Sequence, residues 1–98
     1  TVPEEESVRA IVVYLGEEAK ATAISLASQL RSKGIGAILA PAGRRLRAQL
    51  RYANSLGIPY ALILGEDEMK RGSVILRDMA KGEQREVPIQ GVAEELLL

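Results

Sequence analysis

Apolar residues along the first two thirds of the chain follow two alternating patterns. Short continuous runs are typical of strands buried on both faces, and apolar positions repeating every three to four residues indicate amphipathic helices. The runs predict three strands, and the repeats predict two helices between them. In chain order these elements are Ala10–Leu15, Glu17–Lys33, Ile35–Ala40, Arg44–Ser55 and Tyr60–Leu64. The resulting β-α-β-α-β order requires parallel strands with right-handed crossovers.

The pattern changes after the third predicted strand. Apolar and polar residues alternate over Ser73–Asp78, Ala80–Glu83 has turn composition, and Gln84–Pro88 returns as a partner strand, which predicts an antiparallel hairpin. Gly91–Leu98 is predicted to be a short closing helix. We therefore expect a three-layer α/β/α domain whose five-stranded mixed sheet contains three parallel strands plus the hairpin, with three helices.

The ends and the composition limit the classes of protein to consider. Residues 1–7 are acidic, contain Pro3, and are predicted to be a linker or frayed terminus before a domain at 8–98. Because the first residue is Thr1 rather than Met, we expect a segment of a longer protein. Apolar runs fall short of the ~20 residues that cross a bilayer and no signal peptide is apparent, so a cytoplasmic location without membrane contact is expected. The absence of Cys and His excludes disulfides, thiolate metal sites and the commonest general base.

Charge is sorted along the chain although the net charge is zero. Between Lys20 and Leu64 there are seven basic residues and no acidic one, so the compensating acids lie elsewhere. A neutral protein with segregated charge attracts polyanions to one side. The basic residues are densest in the second predicted helix.

In that helix Arg44, Arg47 and Arg51 are spaced i, i+3, i+7 and are expected to share one face, with Arg45 and Gln49 beside them. Cations in the first turn of a helix oppose its macrodipole by about 0.3–1 kcal/mol, and an anionic ligand would offset that cost. We expect these side chains to hold phosphates. The alternative is an ordinary solvated face, or pairing with the acids that follow the third strand.

Acidic residues follow the first and third predicted strands, at the sheet edge where open α/β folds bind ligands. Glu17 and Glu18, with Glu66, Asp67 and Glu68, could form a Mg²⁺ or phosphoacceptor site. Solvated loop acids are favoured, because Gly16 and Gly65 occupy the strand ends and the fourth and fifth strands form a hairpin. No nucleophile–base pair or phosphate-binding loop is present. We assign no catalytic residue and no metal ligand.

The segment between the third strand and the hairpin combines acids and bases. A carboxylate such as Glu68 can accept from exocyclic base amines, and a guanidinium such as that of Arg77 can bind guanine or phosphate. Lys70 and Arg71 add further positive charge for phosphate contacts. Single-stranded RNA is read by contacts of these kinds.

The segments 43–57, 58–68 and 70–84, together with Leu15–Ala19, resemble the C-terminal anticodon-binding domain of class IIa aminoacyl-tRNA synthetases. The resemblance covers residues 8 to 98 and is greatest to the histidyl enzymes. It implies an α/β domain that binds the anticodon arm of a tRNA, expected to be tRNA-His. It also implies base contacts from Glu68, Arg77 and Arg44.

The resemblance also sets expectations for the parent protein. It implies a homodimeric histidine–tRNA ligase whose catalytic domain uses ATP and Mg²⁺. This chain alone is expected to be monomeric and to need no cofactor. It is not expected to aminoacylate tRNA. A competing hypothesis is a free-standing relative that acts as a protein-interaction module without binding tRNA.

Overall fold

The computed structural model describes residues 8–40 and 45–97. The strands are β1 (Val8–Tyr14), β2 (Gly36–Leu39), β3 (Tyr60–Leu64), β4 (Ser73–Asp78) and β5 (Glu83–Pro88). The helices are α1 (Glu17–Ser32), α2 (Leu46–Ser55), α3 (Glu66–Arg71) and α4 (Val92–Leu97), the last preceded by a 3-10 turn at Ile89–Gly91. The predicted linker at residues 1–7, the predicted helix start at Arg44 and the final residue, Leu98, lie outside the described residues.

The five strands form one sheet in the order β2-β1-β3-β4-β5. β1 pairs in parallel with β2 and β3, and β4 pairs antiparallel with both β3 and β5. The prediction of a mixed sheet with three parallel strands and a hairpin is confirmed. Since the three parallel strands share a direction, the helices that follow them begin at the same edge of the sheet.

The central strands are covered on both faces, which explains their continuous apolar sequence. On one side α1 and α4 pack on alternate residues such as Val12 and Leu62, and on the other α2 packs on Ile11, Val13 and Ile63. The layer order is therefore helix, sheet, helix. Within the described residues, no helix combines the length and apolar character needed to cross a bilayer.

The structure contains a helix, α3, that the sequence pattern did not predict. It has six residues and buries none of them, so it lacks the apolar stripe by which helices are recognised. Three acids in its first turn and two bases in its last favour the helix through its dipole. Gly72 ends it in the left-handed conformation, with φ of 68°.

Several basic side chains on the α1 side of the sheet form contacts that hold neighbouring elements together. Arg9 donates to the carbonyl of Leu96 at 3.2 Å, and Arg85 pairs with Glu95, so that both hold α4 against the sheet. On α1, Arg31 donates from Nη1 to the carbonyl oxygen of Ala37 at 2.8 Å, on the edge strand β2. These cations have structural partners, which limits their availability to a ligand.

Leu62 tests the two-sided core. It is fully buried on β3, and its replacement by Ala is expected to lower the free energy of unfolding by about 2–5 kcal/mol, because transfer energy is lost and a cavity is left. Urea denaturation measures the change. The control, Leu97→Ala, removes the same atoms from a side chain that is 62% exposed and should cost within about 0.5 kcal/mol. Equal losses in the two variants would contradict the described core.

Candidate functional site

The helix α2 carries the densest group of exposed cations in the described chain. Arg45 lies at its N-cap in extended conformation, and Arg47 and Arg51 follow on the exposed face. Its first turn contains no acidic residue, so nothing within the helix offsets the cations near its positive end. Arg44, predicted to join them, lies outside the described residues.

The arginines of α2 make no ion pair or hydrogen bond within residues 8–40 and 45–97. The four carboxylates that form ion pairs there, Glu68, Glu86, Glu94 and Glu95, pair with Lys33, Arg71 and Arg85. The alternative in which the acids after β3 neutralise Arg45, Arg47 and Arg51 therefore finds no support in the described contacts. As far as the described residues show, the positive surface along the exposed face of α2 has no acidic partner.

A groove of about 510 Å³ runs between α2 and the end of β4. Leu46, Leu50 and Met79 give it apolar walls, and all three pack on the α2-side core. Its polar lining consists of Arg47, Arg51, Arg77 and Asn54. Two arginines of the helix and one of the hairpin, predicted separately as phosphate and base contacts, are thus brought to one groove.

Arg77 enters the groove from β4 because its register places it opposite Ala61, on the α2 side of the sheet. Its Nη1 donates to Oε1 of Gln84 at 2.9 Å, across the β4–β5 pair. The contact leaves other guanidinium donors available, since the group carries five N–H bonds. The hairpin therefore orients Arg77 without saturating it.

Gln49 does not reach this surface. It is 3% exposed, and it lies three residues after Leu46 and four before Ala53, on the stripe that faces the sheet. This burial argues against the phosphate contact that the sequence predicted for Gln49. Its polar character suggested exposure, whereas its helical position puts it inside.

Glu68 lies on α3, at the opposite end of β3 from Arg77. Its Oε1 accepts from the backbone N–H of Gly65 at 2.9 Å and so caps the helix, while its Oε2 lies 3.5 Å from Nη2 of Arg71. A Cβ on Gly65 would stand 2.7 Å from that Oε1, so a larger residue there would displace the Glu68 carboxylate from this position. The structure thus does not bring the two predicted base contacts, Glu68 and Arg77, together.

Arg71 is bound to Glu86 rather than left free for phosphate. Its Nε lies 2.7 Å from Oε2 and its Nη2 3.2 Å from Oε1, and the hydroxyl of Ser73 also donates to Oε2. The hydrogen bonds from Arg71 and Ser73 lower the pKa of Glu86, and the same pairing raises the pKa of Arg71. Lys70, next to it on α3, is exposed.

Sequence reasoning missed several members of this region. Asn54 and Met79 line the groove. Gln84 accepts a hydrogen bond from Arg77, and Glu86 accepts from Arg71. Asn54 stands three residues after Arg51, so helical spacing alone could have identified it. Within the described residues, no three acidic side chains are grouped to hold a metal ion, which leaves the alternative of a Mg²⁺ site without support.

Comparison with known proteins gives a consistent result. Residues 9–97 match the family model described as "Anticodon binding domain". A histidine–tRNA ligase of Dehalococcoides mccartyi is 42% identical over 96 residues, which cover 98% of this chain and 23% of that protein. Another, from Pyrococcus furiosus, is 42% identical over 83 residues, or 85% of this chain and 19% of the relative. The chain thus spans about a fifth of the length of such relatives.

Solved structures resemble the fold closely. The histidyl-tRNA synthetase of Nostoc sp. PCC 7120 superposes with a TM-score of 0.89 at 32% identity, over 93% of this chain and 22% of that one. The RNA-binding domain of threonyl-tRNA synthetase from Cryptosporidium parvum gives a TM-score of 0.86 at 21% identity, over 93% of this chain and 23% of its own. The second likeness concerns the fold alone.

The contact between Glu68 and Gly65 generates a test. Glu68→Ala should leave the Gly65 N–H without its acceptor and weaken α3 by about 0.5–2 kcal/mol. Amide hydrogen exchange should then speed up at Met69, whose N–H donates to the Gly65 carbonyl at 3.0 Å. Glu68→Gln keeps a carbonyl oxygen as acceptor and should exchange more slowly than the alanine variant. Unchanged exchange at Met69 in Glu68→Ala would show that the cap does not hold the helix.

Proposed function

This chain belongs to the anticodon-binding domain family, and on that basis we propose that it recognises the anticodon arm of tRNA-His as one domain of a histidine–tRNA ligase. The identity to histidine–tRNA ligases over nearly the whole chain supports the choice among synthetases. The observation that carries the proposal is the set of guanidinium groups on α2 that have no partner among the described residues, beside a groove with apolar walls.

The distribution of paired and unpaired cations favours a polyanion on the α2 side. Arg9 and Arg31 donate to backbone carbonyls and Lys33 lies 3.8 Å from Glu94, all on the α1 side or at the sheet edges. By contrast, Arg47 and Arg51 face solvent without a partner among the described residues. Phosphates that approach α2 would therefore replace water rather than displace carboxylates.

The groove suits an unpaired nucleotide. Unstacked bases of RNA loops pack on apolar or planar side chains while their phosphates contact cations. In the proposed complex Leu50 and Met79 would contact a base, and Arg47 and Arg51 would contact the neighbouring phosphates. Arg45, and Arg44 before it, would extend the phosphate track along the helix start.

Base reading is assigned to the hairpin and α3. Arg77 has guanidinium donors beyond the one bound to Gln84, and these can bind a base edge in the groove. Glu68 is proposed to read a second base through Oε2, since Oε1 is occupied by Gly65. Lys70, exposed on the same helix, is proposed as a phosphate contact. Because Glu68 follows one end of β3 and Arg77 lies beside the other end, the two side chains would read different nucleotides.

The activity of the parent protein is part of the proposal. The ligase reaction, with its ATP and Mg²⁺, is assigned to a catalytic domain beyond this chain, and this domain alone is proposed to bind without aminoacylating. A homodimeric parent in the cytoplasm completes the proposal, whereas the domain alone is proposed to be monomeric.

Salt dependence tests the electrostatic part. If about four phosphates are neutralised, the logarithm of the association constant for an anticodon stem-loop should fall with the logarithm of salt concentration at a slope of about −3. Fluorescence anisotropy from low to moderate salt measures the slope. Undetectable binding at low salt, or binding insensitive to salt, would reject tRNA recognition in favour of the protein-interaction alternative.

Single substitutions separate phosphate from base contacts. Arg47→Ala should weaken stem-loops of different anticodons equally and reduce the salt slope by about 1, whereas Arg77→Ala should remove about 1–3 kcal/mol of discrimination between them. Affinities for the tRNA-His stem-loop and an unrelated one measure both effects. Lys20→Ala, which removes an exposed cation from α1, is the control and should change neither. Identical behaviour of the Arg47 and Arg77 variants would refute the division of roles.

A further inference from the structure

The register of the hairpin places its acids on different faces. Glu86 is directly opposite Ile75, which packs on the α2-side core, so Glu86 lies on the same face of the sheet as the groove. Asp78 and Glu83 are directly opposite each other and lie on the other face of the sheet. Together with Leu76 they line a cavity there. Among the residues of β4 and β5, Glu86 is therefore the sole carboxylate on the face where RNA is proposed to bind.

That carboxylate is already covered. Arg71 binds it through two donors, at 2.7 and 3.2 Å, and the buried Ser73 hydroxyl donates to the same oxygen that accepts from Nε. A two-donor pair of this kind is geometrically specific as well as favourable. The cation reaches across from the last residue of α3, an element that buries no residue of its own.

We propose that Arg71 is a positioning residue whose task is to neutralise Glu86, so that the hairpin face beside α2 accepts a phosphate chain. The inference rests on the proposed function and assigns to Arg71 an indirect role in place of the direct phosphate contact expected from the sequence. Without Arg71, an ionised carboxylate would face the RNA and repel it. Its repulsion of a phosphate several ångströms away corresponds to about a three- to tenfold loss of affinity.

A double-substitution cycle in the 98-residue chain separates this role from the alternatives. Arg71→Ala should weaken binding of the tRNA-His stem-loop about three- to tenfold at low salt. Glu86→Gln alone should bind at least as well as the unsubstituted chain, since the repelling charge is absent. The double variant, Arg71→Ala with Glu86→Gln, should recover affinity to within about twofold of the unsubstituted chain.

Two results of this cycle would overturn the inference. If the double variant binds as weakly as Arg71→Ala, then Arg71 touches RNA, supports α3 or acts through its second carboxylate partner, Glu68, because removing the Glu86 charge repairs none of these losses. If Arg71→Ala binds normally, Glu86 needs no neutralising partner. In both cases the unsubstituted chain still binds, so the proposed function stands; a chain that binds no stem-loop overturns the function and this inference together.

A measurement without RNA tests the pair itself. Arg71 and Ser73 lower the pKa of Glu86 in the unsubstituted chain, so the pKa of this carboxyl group, followed by carbon NMR, should rise in Arg71→Ala. Stability contributed by a lowered carboxylate pKa is present above the pKa of the unfolded chain and is lost as pH falls through the folded value. An unchanged pKa of Glu86 in Arg71→Ala would show that the pair does not form in solution, which refutes the inference.

Discussion

The burial of β1 and β3 on both faces is the constraint on which the rest of the domain depends. Alternate residues of each strand point to opposite helical layers, so Ile11 and Val13 face α2 while Val12 faces α1. A strand that is apolar on both faces must be central in the sheet. The polar side chains that could bind a ligand must therefore lie beyond the ends of these strands or on neighbouring elements. The arginines of α2 and the polar residues of β4 and β5 occupy those places.

The two sides of the sheet use their cations differently as a result. On the α1 side, Arg9, Lys33 and Arg85 bind α4 through a carbonyl and two carboxylates, in addition to the apolar packing of that layer. On the α2 side the helix is anchored by Ala53 and its half-buried leucines, and its arginines are left without partners among the described residues. Charge that stabilises one layer is thus separated from charge that is open to a ligand in the other.

Among the described elements, the sequence predicted the five strands and the helices α1, α2 and α4, but it did not predict α3. The continuous apolar run at Tyr60–Leu64 predicted β3 with its observed bounds, because a strand buried on both faces consists almost entirely of apolar residues. Helix α3 escaped prediction since six residues with no apolar stripe have no periodicity to read. Its existence depends on the cap from Glu68 and on the end at Gly72, which act through backbone geometry.

The sequence does not show which candidate site residues are buried or paired with a side chain distant in sequence. Helical spacing correctly placed Arg47 and Arg51 on the exposed face of α2, but the same spacing, applied to Gln49, would have placed it inside. The partner of Arg71 could not be predicted, because Glu86 lies fifteen residues away and its position depends on the length of the hairpin turn. Local periodicity thus predicts the face on which a side chain lies. Whether that side chain is paired depends on the strand register, which the periodicity does not give.

The contact between Arg31 and the Ala37 carbonyl bears on how the domain behaves at high concentration. The N–H of Ala40 donates to Val12, so alternation along β2 directs the Ala37 carbonyl away from β1, toward the open margin of the sheet. A strand arriving from another molecule would meet an acceptor already occupied by a guanidinium. At the far margin, the charged residues of β5 and Pro88 discourage the same approach. One occupied acceptor on β2 and the charged residues of β5 with Pro88 thus oppose the addition of a strand at the two edges of the sheet.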